Sequence, residues 1–294
     1  MRLRKVKDNL HQTWMIIAIA IVILLPFIIG AGLIYKSSFI LHEYPIKDIL
    51  FSSEWKPQSS KFGLLPFITS SLFVTFFAIV IVLPISLLSA IHLTQYAKKW
   101  VLKVTHPVID ILAGIPSVIF GIWGVIAVVP AVQYIAKLFG YTVSGYSILA
   151  GSIVLAIMIL PFVLNMMIEI FQTVPEELTE AALSLGASRW QAIKKVILRK
   201  AFPGIISAIG LGISRAFGET IAVLMVTGNV VKIPEGIFQP GYPLPALLAN
   251  NYGEMLSIPL YDSALMLSAL VLFVIVLLFN LVSRLTIIRF EKKI

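Results

Sequence analysis

Six stretches of this sequence are too long and too apolar to fold as anything but membrane-crossing helices: residues 14–35, 65–93, 109–130, 148–171, 204–227 and 263–282. A helix needs about 20 mostly apolar residues to cross a bilayer. Helices are required because lipid offers no partner for an unpaired backbone N–H or C=O. Membrane-spanning strands would read as alternating stretches of about ten residues, and the sequence has none of that form. The wider composition agrees: 59% of the 294 residues are hydrophobic and 13% charged, where a soluble domain carries about 25% charged residues. No polar linker divides the apolar stretches. The expectation is an all-α membrane protein with six transmembrane helices in a single transmembrane domain, residues 1–294.

The basic residues are distributed unevenly around these spans. Arg2, Arg4, Lys5 and Lys7 precede the first, and Lys98, Lys99 and Lys103 follow the second. Arg189, Lys194, Lys195, Arg199 and Lys200 follow the fourth, and Arg284, Arg289, Lys292 and Lys293 follow the sixth. The intervening loops hold only Lys36, Lys47, Lys56, Lys61, Lys137 and Lys232. Positive charge collects on the cytoplasmic side, so both termini are expected there, with an exoplasmic loop at 36–64 and a long cytoplasmic loop at 173–203. The same asymmetry accounts for the net charge of +9, which leaves no reason to invoke nucleic acid. The basic start, apolar run and Gly30-Ala31-Gly32 triplet also fit a cleaved signal peptide. The length of the run and the charge pattern favour a retained span.

There is no cysteine, which excludes disulfides, thiolate metal sites and cysteine nucleophiles. His11, His42, His92 and His106 have no metal-ligand spacing, and no catalytic constellation is visible. Neither an enzyme activity nor a cofactor is expected of this chain. Pro26, Pro84, Pro116 and Pro161 fall inside the first four apolar stretches; each removes a backbone donor and can kink its helix, although membrane helices tolerate proline where neighbours re-satisfy the freed groups. Between Ala113 and Gly124 the glycines allow close backbone approach.

Arg215 and Glu219 stand in the fifth stretch. A charge at the bilayer centre costs about 2.5–3.5 kcal/mol on insertion scales, so such residues face a bundle interior or water. A spacing of four places both on one helix face. Gly210, Ser214 and Gly218 form a second stripe suited to close helix packing. One reading is an ion pair that only fixes helix register. The other is a path for an anion, with Arg215 supplying a planar fork of donors that matches oxyanion oxygens and Glu219 as its counter-ion.

The loop at 173–203 is patterned. Pro175-Glu176-Glu177-Leu178 has the proline and acids of a helix start. Gly186 is suited to end that helix and Ser188 to cap the next. Trp190, Ile193, Val196 and Ile197 recur at helical spacing, which predicts a helix–turn–helix at the membrane surface.

Glu180-Ala181-Ala182, three residues, Gly186 and then Val196-Ile197-Leu198 resemble the cytoplasmic EAA loop of ATP-binding-cassette importer permeases. That family often has proline where this chain has Arg199, and Pro203 follows four residues later. The run from Gly212-Ile213-Ser214-Arg215 through Gly218-Glu219-Thr220 to Thr227-Gly228-Asn229 is similar to the fifth span of phosphate-specific (Pst) permeases, of the PstC type. Residues 113–124, Trp55-Lys56-Pro57 and Lys61–Pro66 are similar to other parts of the same family. The resemblance implies a type I importer permease fold. Glu180, Ala181, Ala182 and Gly186 would dock a cytoplasmic ATPase, and Arg215 and Glu219 would line the substrate path. The implied partners are a homologous PstA-like permease, two ATP-binding subunits and an extracytoplasmic phosphate-binding protein, with inorganic phosphate as the substrate.

The sequence lacks its own phosphate-cradling loop, which reads Gly-x4-Gly-Lys-Ser/Thr. The nearest approach runs from Gly30 to Lys36-Ser37, but Tyr35 fills the second glycine position. ATP hydrolysis is therefore expected in a partner. Two alternatives stand beside phosphate import. One is a permease for another oxyanion such as sulfate or molybdate. The other is a secondary transporter acting alone, which would typically carry inverted repeats with broken helices.

Overall fold

The computed structural model describes residues 2–253 and 258–291, with side chains over 11–253 and 258–289. The side chains of Arg2, Arg4, Lys5 and Lys7, and all of Lys292 and Lys293, lie outside the described residues. The chain runs through α1 (Arg2–Glu43), α2 (Ile46–Phe51), a two-stranded hairpin of β1 (Trp55–Lys56) and β2 (Lys61–Phe62), then α3 (Leu65–Ile91). Next come α4 (Lys99–Ala113), α5 (Ser117–Trp123), α6 (Val129–Leu138) and α7 (Ile148–Gln172). The rest is α8 (Glu176–Ser184), α9 (Arg189–Ala192), α10 (Leu198–Phe217), α11 (Ile221–Val226), α12 (Leu244–Asn251) and α13 (Pro259–Glu291). Among the described residues six helical segments are long and apolar enough to cross a membrane: His11–Glu43, Leu65–Tyr96, Ser117–Leu138, Ile148–Gln172, Arg189–Phe217 and Pro259–Arg289.

Helix α7 is the centre of the bundle. Its Val154, Leu155, Ile159, Val163, Met167 and Ile168 are all buried, on several faces of the helix. A helix apolar all round is buried all round, and α3, α4, α10 and α11 pack against this one. Small residues set the closest approaches. A Cβ on Gly212 would stand 2.8 Å from Val163, and one on Gly210 only 1.9 Å from Ser283 Oγ of α13. Gly210→Leu is therefore expected to destabilise the protein by about 1–3 kcal/mol through overpacking. The check is thermal unfolding in detergent, with Ser283→Gly restoring part of the loss. An unchanged transition would mean that α10 and α13 do not pack this closely.

Two spans are placed differently from the sequence expectation. The stretch 109–130 is not one helix: α4 ends at Ala113, Pro116 (φ −58°, ψ 139°) sits before the next helix, and the spanning segment is Ser117–Leu138. Pro116 thus caps a helix instead of kinking one. Hydropathy runs unbroken across Gly114-Ile115-Pro116, which hides the break, whereas residues before proline avoid the α region. The fifth span, expected over 204–227, runs from Arg189 to Phe217, through a π turn at Ile193–Ile197. The second helix expected in the loop at 173–203 is thus no separate surface helix but the first turns of this span. Ile193 and Ile197 are its buried anchors, and the lysines between them mask the apolar periodicity.

A second apolar cluster closes the opposite end of the bundle. Trp55 of the hairpin packs edge-on to Phe62 and Phe67, at centroid distances of 5.7 and 5.3 Å, and Phe67 packs on Tyr242 at 5.1 Å. Ile40, Ile49, Leu244, Leu247 and Tyr261 complete it. The Lys61 Nζ–Glu54 Oε2 bond of 2.6 Å closes the hairpin. This bond with Lys61 holds the Glu54 carboxyl below its ordinary range. Ser263 joins α1 to α13 by accepting from Ile40 N (3.0 Å) and donating to the Lys36 carbonyl (2.9 Å).

Candidate functional site

Arg215 and Glu219 do not share a helix. α10 stops at Phe217, Gly218 follows as its cap, and Glu219-Thr220 form a break before α11 begins at Ile221. Glycine and threonine are weak helix formers in succession, so the apolar run bends here. Glu219 turns back to the new helix, its Oε1 accepting from Ala222 N at 3.4 Å. It faces a narrow crevice whose polar walls are Ser71 and Thr75 of α3.

Arg215 occupies the last turn of α10 and is exposed. Its guanidinium lies over the Phe162 ring of α7, 4.7 Å from the centroid. Among the described residues, ion pairs join Lys36 to Asp262, Lys61 to Glu54 and Lys232 to Glu235, and none joins Arg215 to Glu219. The ion pair of the first reading does not form, since α10 ends at Phe217 and Glu219 lies in the break beyond it.

The packing stripe divides in the same way. Gly210 meets Ser283 of α13, and Ser214 Oγ donates to the Gly210 carbonyl at 2.9 Å. Gly218 is exposed, and a Cβ there would meet only carbonyls of its own turn. Gly218 serves the break, not packing.

Pro243 and Pro245 complete the wall of the crevice, at the end of a segment, 228–245, that the sequence presents only as a loop. Ser70 and Ser71, both buried in α3, accept from Tyr242 N (3.1 Å) and Leu244 N (2.8 Å). Gln239 and Ile237 carbonyls accept from Ile148 N and Leu149 N at the start of α7, where the first N–H groups of a helix have no internal partner. The signal that could have found this segment is its run of prolines and glycines from Pro234 to Pro245, dense for residues between two spans.

On the other side of the bundle α8 stands out from the core, with Glu180 and Ala181 exposed and Ala182 half-buried. Its end is a left-handed cap at Gly186 (φ +83°), where Ala187 N donates to the Ala182 carbonyl and Gly186 N to that of Leu183. These are the two bonds of a Schellman motif. Ser188 then caps α9 reciprocally with Gln191. Leu178, Leu183, Leu185 and Trp190 stay exposed around this turn, Leu185 to 89%. Arg189 ties this turn to the π turn His92–Tyr96 that follows α3, donating to the Gln95 carbonyl and lying over the Tyr96 ring.

The described residues hold no cluster of His, Asp and Glu fit for a metal. Two structural neighbours share the fold. One is a MetNI methionine ABC transporter in an inward-facing conformation (TM-score 0.56, 20% identity, 81% of this chain and 99% of that one). The other is a bacterial ABC transporter that imports the acidic polysaccharide alginate (TM-score 0.55, 16% identity, 95% and 98%). Among relatives by sequence, a probable ABC transporter permease, YqgH of Bacillus subtilis, is 39% identical over 84% of this chain and 79% of its own length. The phosphate transport permease PstC of Xylella fastidiosa is 35% identical over 84% and 80%. A probable PstC of Methanocaldococcus jannaschii is 35% identical over 80% and 79%. With residues 82–294 matching the family model as well, the chain belongs to the inner membrane components of binding-protein-dependent transport systems.

Proposed function

We propose that this chain is the PstC-type permease of an ATP-driven phosphate importer. As a member of its family it is a multi-pass inner-membrane transport subunit that works with an ATPase, a binding protein and a second permease. The finer assignment is a PstA-like sister permease, two copies of the ATPase and a phosphate-binding protein delivering substrate to the outer face. The charge asymmetry supports cytoplasmic termini.

The observation that carries the phosphate path is Arg215. It lies in a membrane-spanning helix, exposed on this chain, and rests on an aromatic ring with no carboxylate pairing it. Lipid would not tolerate that placement, whereas a path shared with the second permease would. Stacked on Phe162, the guanidinium keeps its edge donors free for oxyanion oxygens. Glu219, beside Ser71 and Thr75, puts negative charge near the same path, so that the anion is held loosely enough to leave.

Glu180, Ala181, Ala182 and Gly186 form the ATPase dock in this reading. Their helix projects from the core with apolar side chains uncovered, and Arg189 links the turn after it to the π turn His92–Tyr96 that continues α3, the helix that lines the crevice. ATP must supply the differential energy, since substrate bound equally in two states shifts neither. The test is ATP hydrolysis by the reconstituted complex. Phosphate-loaded binding protein should stimulate it several-fold, and empty binding protein should not. Equal rates with either would remove phosphate as the substrate.

A further inference from the structure

Asp110, a third charged residue, is bonded to Asn165, which stands one helical turn along α7 from Phe162, the ring that carries Arg215. Asp110 lies near the end of α4 and is exposed. Asn165 of α7 donates from Nδ2 to Asp110 Oδ1 at 2.8 Å. A carboxylate only accepts, so the amide must turn its NH2 toward Asp110 and its oxygen away. That oxygen, Asn165 Oδ1, is buried without a donor. Leaving a buried acceptor unpaired costs stability, and what Asn165 gains in return is a fixed carboxylate.

Phe162 and Asn165 are three residues apart on α7 and so are neighbours on one face. Arg215 from α10 lies over the first, and Asp110 from α4 bonds to the second. A cation and a carboxylate from different helices thus meet one face of α7 one turn apart, without forming an ion pair.

We propose that Asp110, positioned by Asn165, is the specificity-determining acceptor of the Arg215 site; this rests on Arg215 being an anion site. A guanidinium offers only donors, which any tetrahedral oxyanion can accept. A carboxylate beside it sorts those anions by their protons. Hydrogen phosphate and hydrogen arsenate keep an O–H at neutral pH and can donate it to Asp110. Sulfate and molybdate have none to give and meet only like-charge repulsion. The combination selects for a protonated oxyanion, whatever the binding protein delivers.

The test uses the assembled transporter in lipid nanodiscs, without binding protein. Phenylglyoxal modification of Arg215 is followed by mass spectrometry, with inorganic phosphate or sulfate as protectant. Phosphate should slow the modification at concentrations at least about tenfold below those at which sulfate does. Asp110→Asn should bring the two anions together, Asn165→Leu should shift them the same way, and Asp110→Glu should keep the difference. If phosphate fails to protect Arg215 in the wild type, the Arg215 site itself is wrong. If phosphate protects but sulfate protects equally well, or if Asp110→Asn leaves the discrimination intact, the role of Asp110 is overturned. Should Asp110→Asn fail to assemble, Asn165→Leu decides by the same readout: unchanged discrimination overturns the proposal.

Discussion

Arg215→Ala will reduce ATP-driven phosphate uptake by about a hundredfold or more while leaving the complex assembled. Hydrogen bonds to charged groups contribute about 1.5–3 kcal/mol each, and two of them lost from one guanidinium exceed two factors of ten. An anion entering the membrane without that cation also carries an uncompensated desolvation cost. Assembly should survive because, among the described residues, the guanidinium rests on the Phe162 ring and on no ion-pair partner. Such a contact stabilises an exposed site by about 0.5–1 kcal/mol, and no buried carboxylate is left unpaired by its loss. Arg215→Lys keeps the charge but not the fork and should fall between the two. Uptake measured in vesicles, with co-purification of the partner subunits, separates loss of the path from loss of the protein. Normal uptake by the alanine variant would remove Arg215 from the path.

Gly186→Val will uncouple hydrolysis from transport. The backbone there has φ +83°, a region in which a β-branched residue is a strong outlier; the left-handed conformation costs an ordinary residue about 1–2 kcal/mol. Nothing lies within 4 Å of a Cβ built at this position, so the effect is conformational, not steric. The Schellman bonds from Gly186 and Ala187 would open, and the direction of α8 relative to α9 would change with them. Binding protein should then raise ATP hydrolysis at most marginally, where the wild type responds several-fold. Glu180→Lys, which reverses an exposed charge on the same helix, should weaken ATPase attachment without altering the fold. Wild-type stimulation in both variants would mean that this turn is not the dock.

The features legible in the sequence are those set by local chemistry. The existence of six spans follows from length and hydropathy, although two of them are shifted, and α8, Gly186 and Ser188 stand where cap chemistry places them. What the sequence hid are the breaks. Gly114-Ile115-Pro116 and Gly218-Glu219-Thr220 are flanked by apolar residues on both sides, so a hydropathy window bridges them. The second break matters most, since it takes Glu219 out of register with Arg215. The polar lining of the site was also hidden. Ser70 and Ser71 meet residues more than 170 positions away, and Asp110 meets Asn165 across 55. A lone serine, aspartate or asparagine in an apolar stretch gives no sign of which helix it will face. In the sequence Arg189 is one of five basic residues in the loop at 173–203, and only the fold shows it fastened to the Gln95 carbonyl, just past the end of α3.

The central claim is ATP-driven phosphate import through this chain. Its most direct test is uptake of labelled phosphate into vesicles holding the chain with its partner permease, ATPase and binding protein. The account predicts uptake that requires ATP and every partner, is competed by arsenate, and is untouched by sulfate or molybdate. Uptake that proceeds without ATP, or with this chain alone, would contradict it.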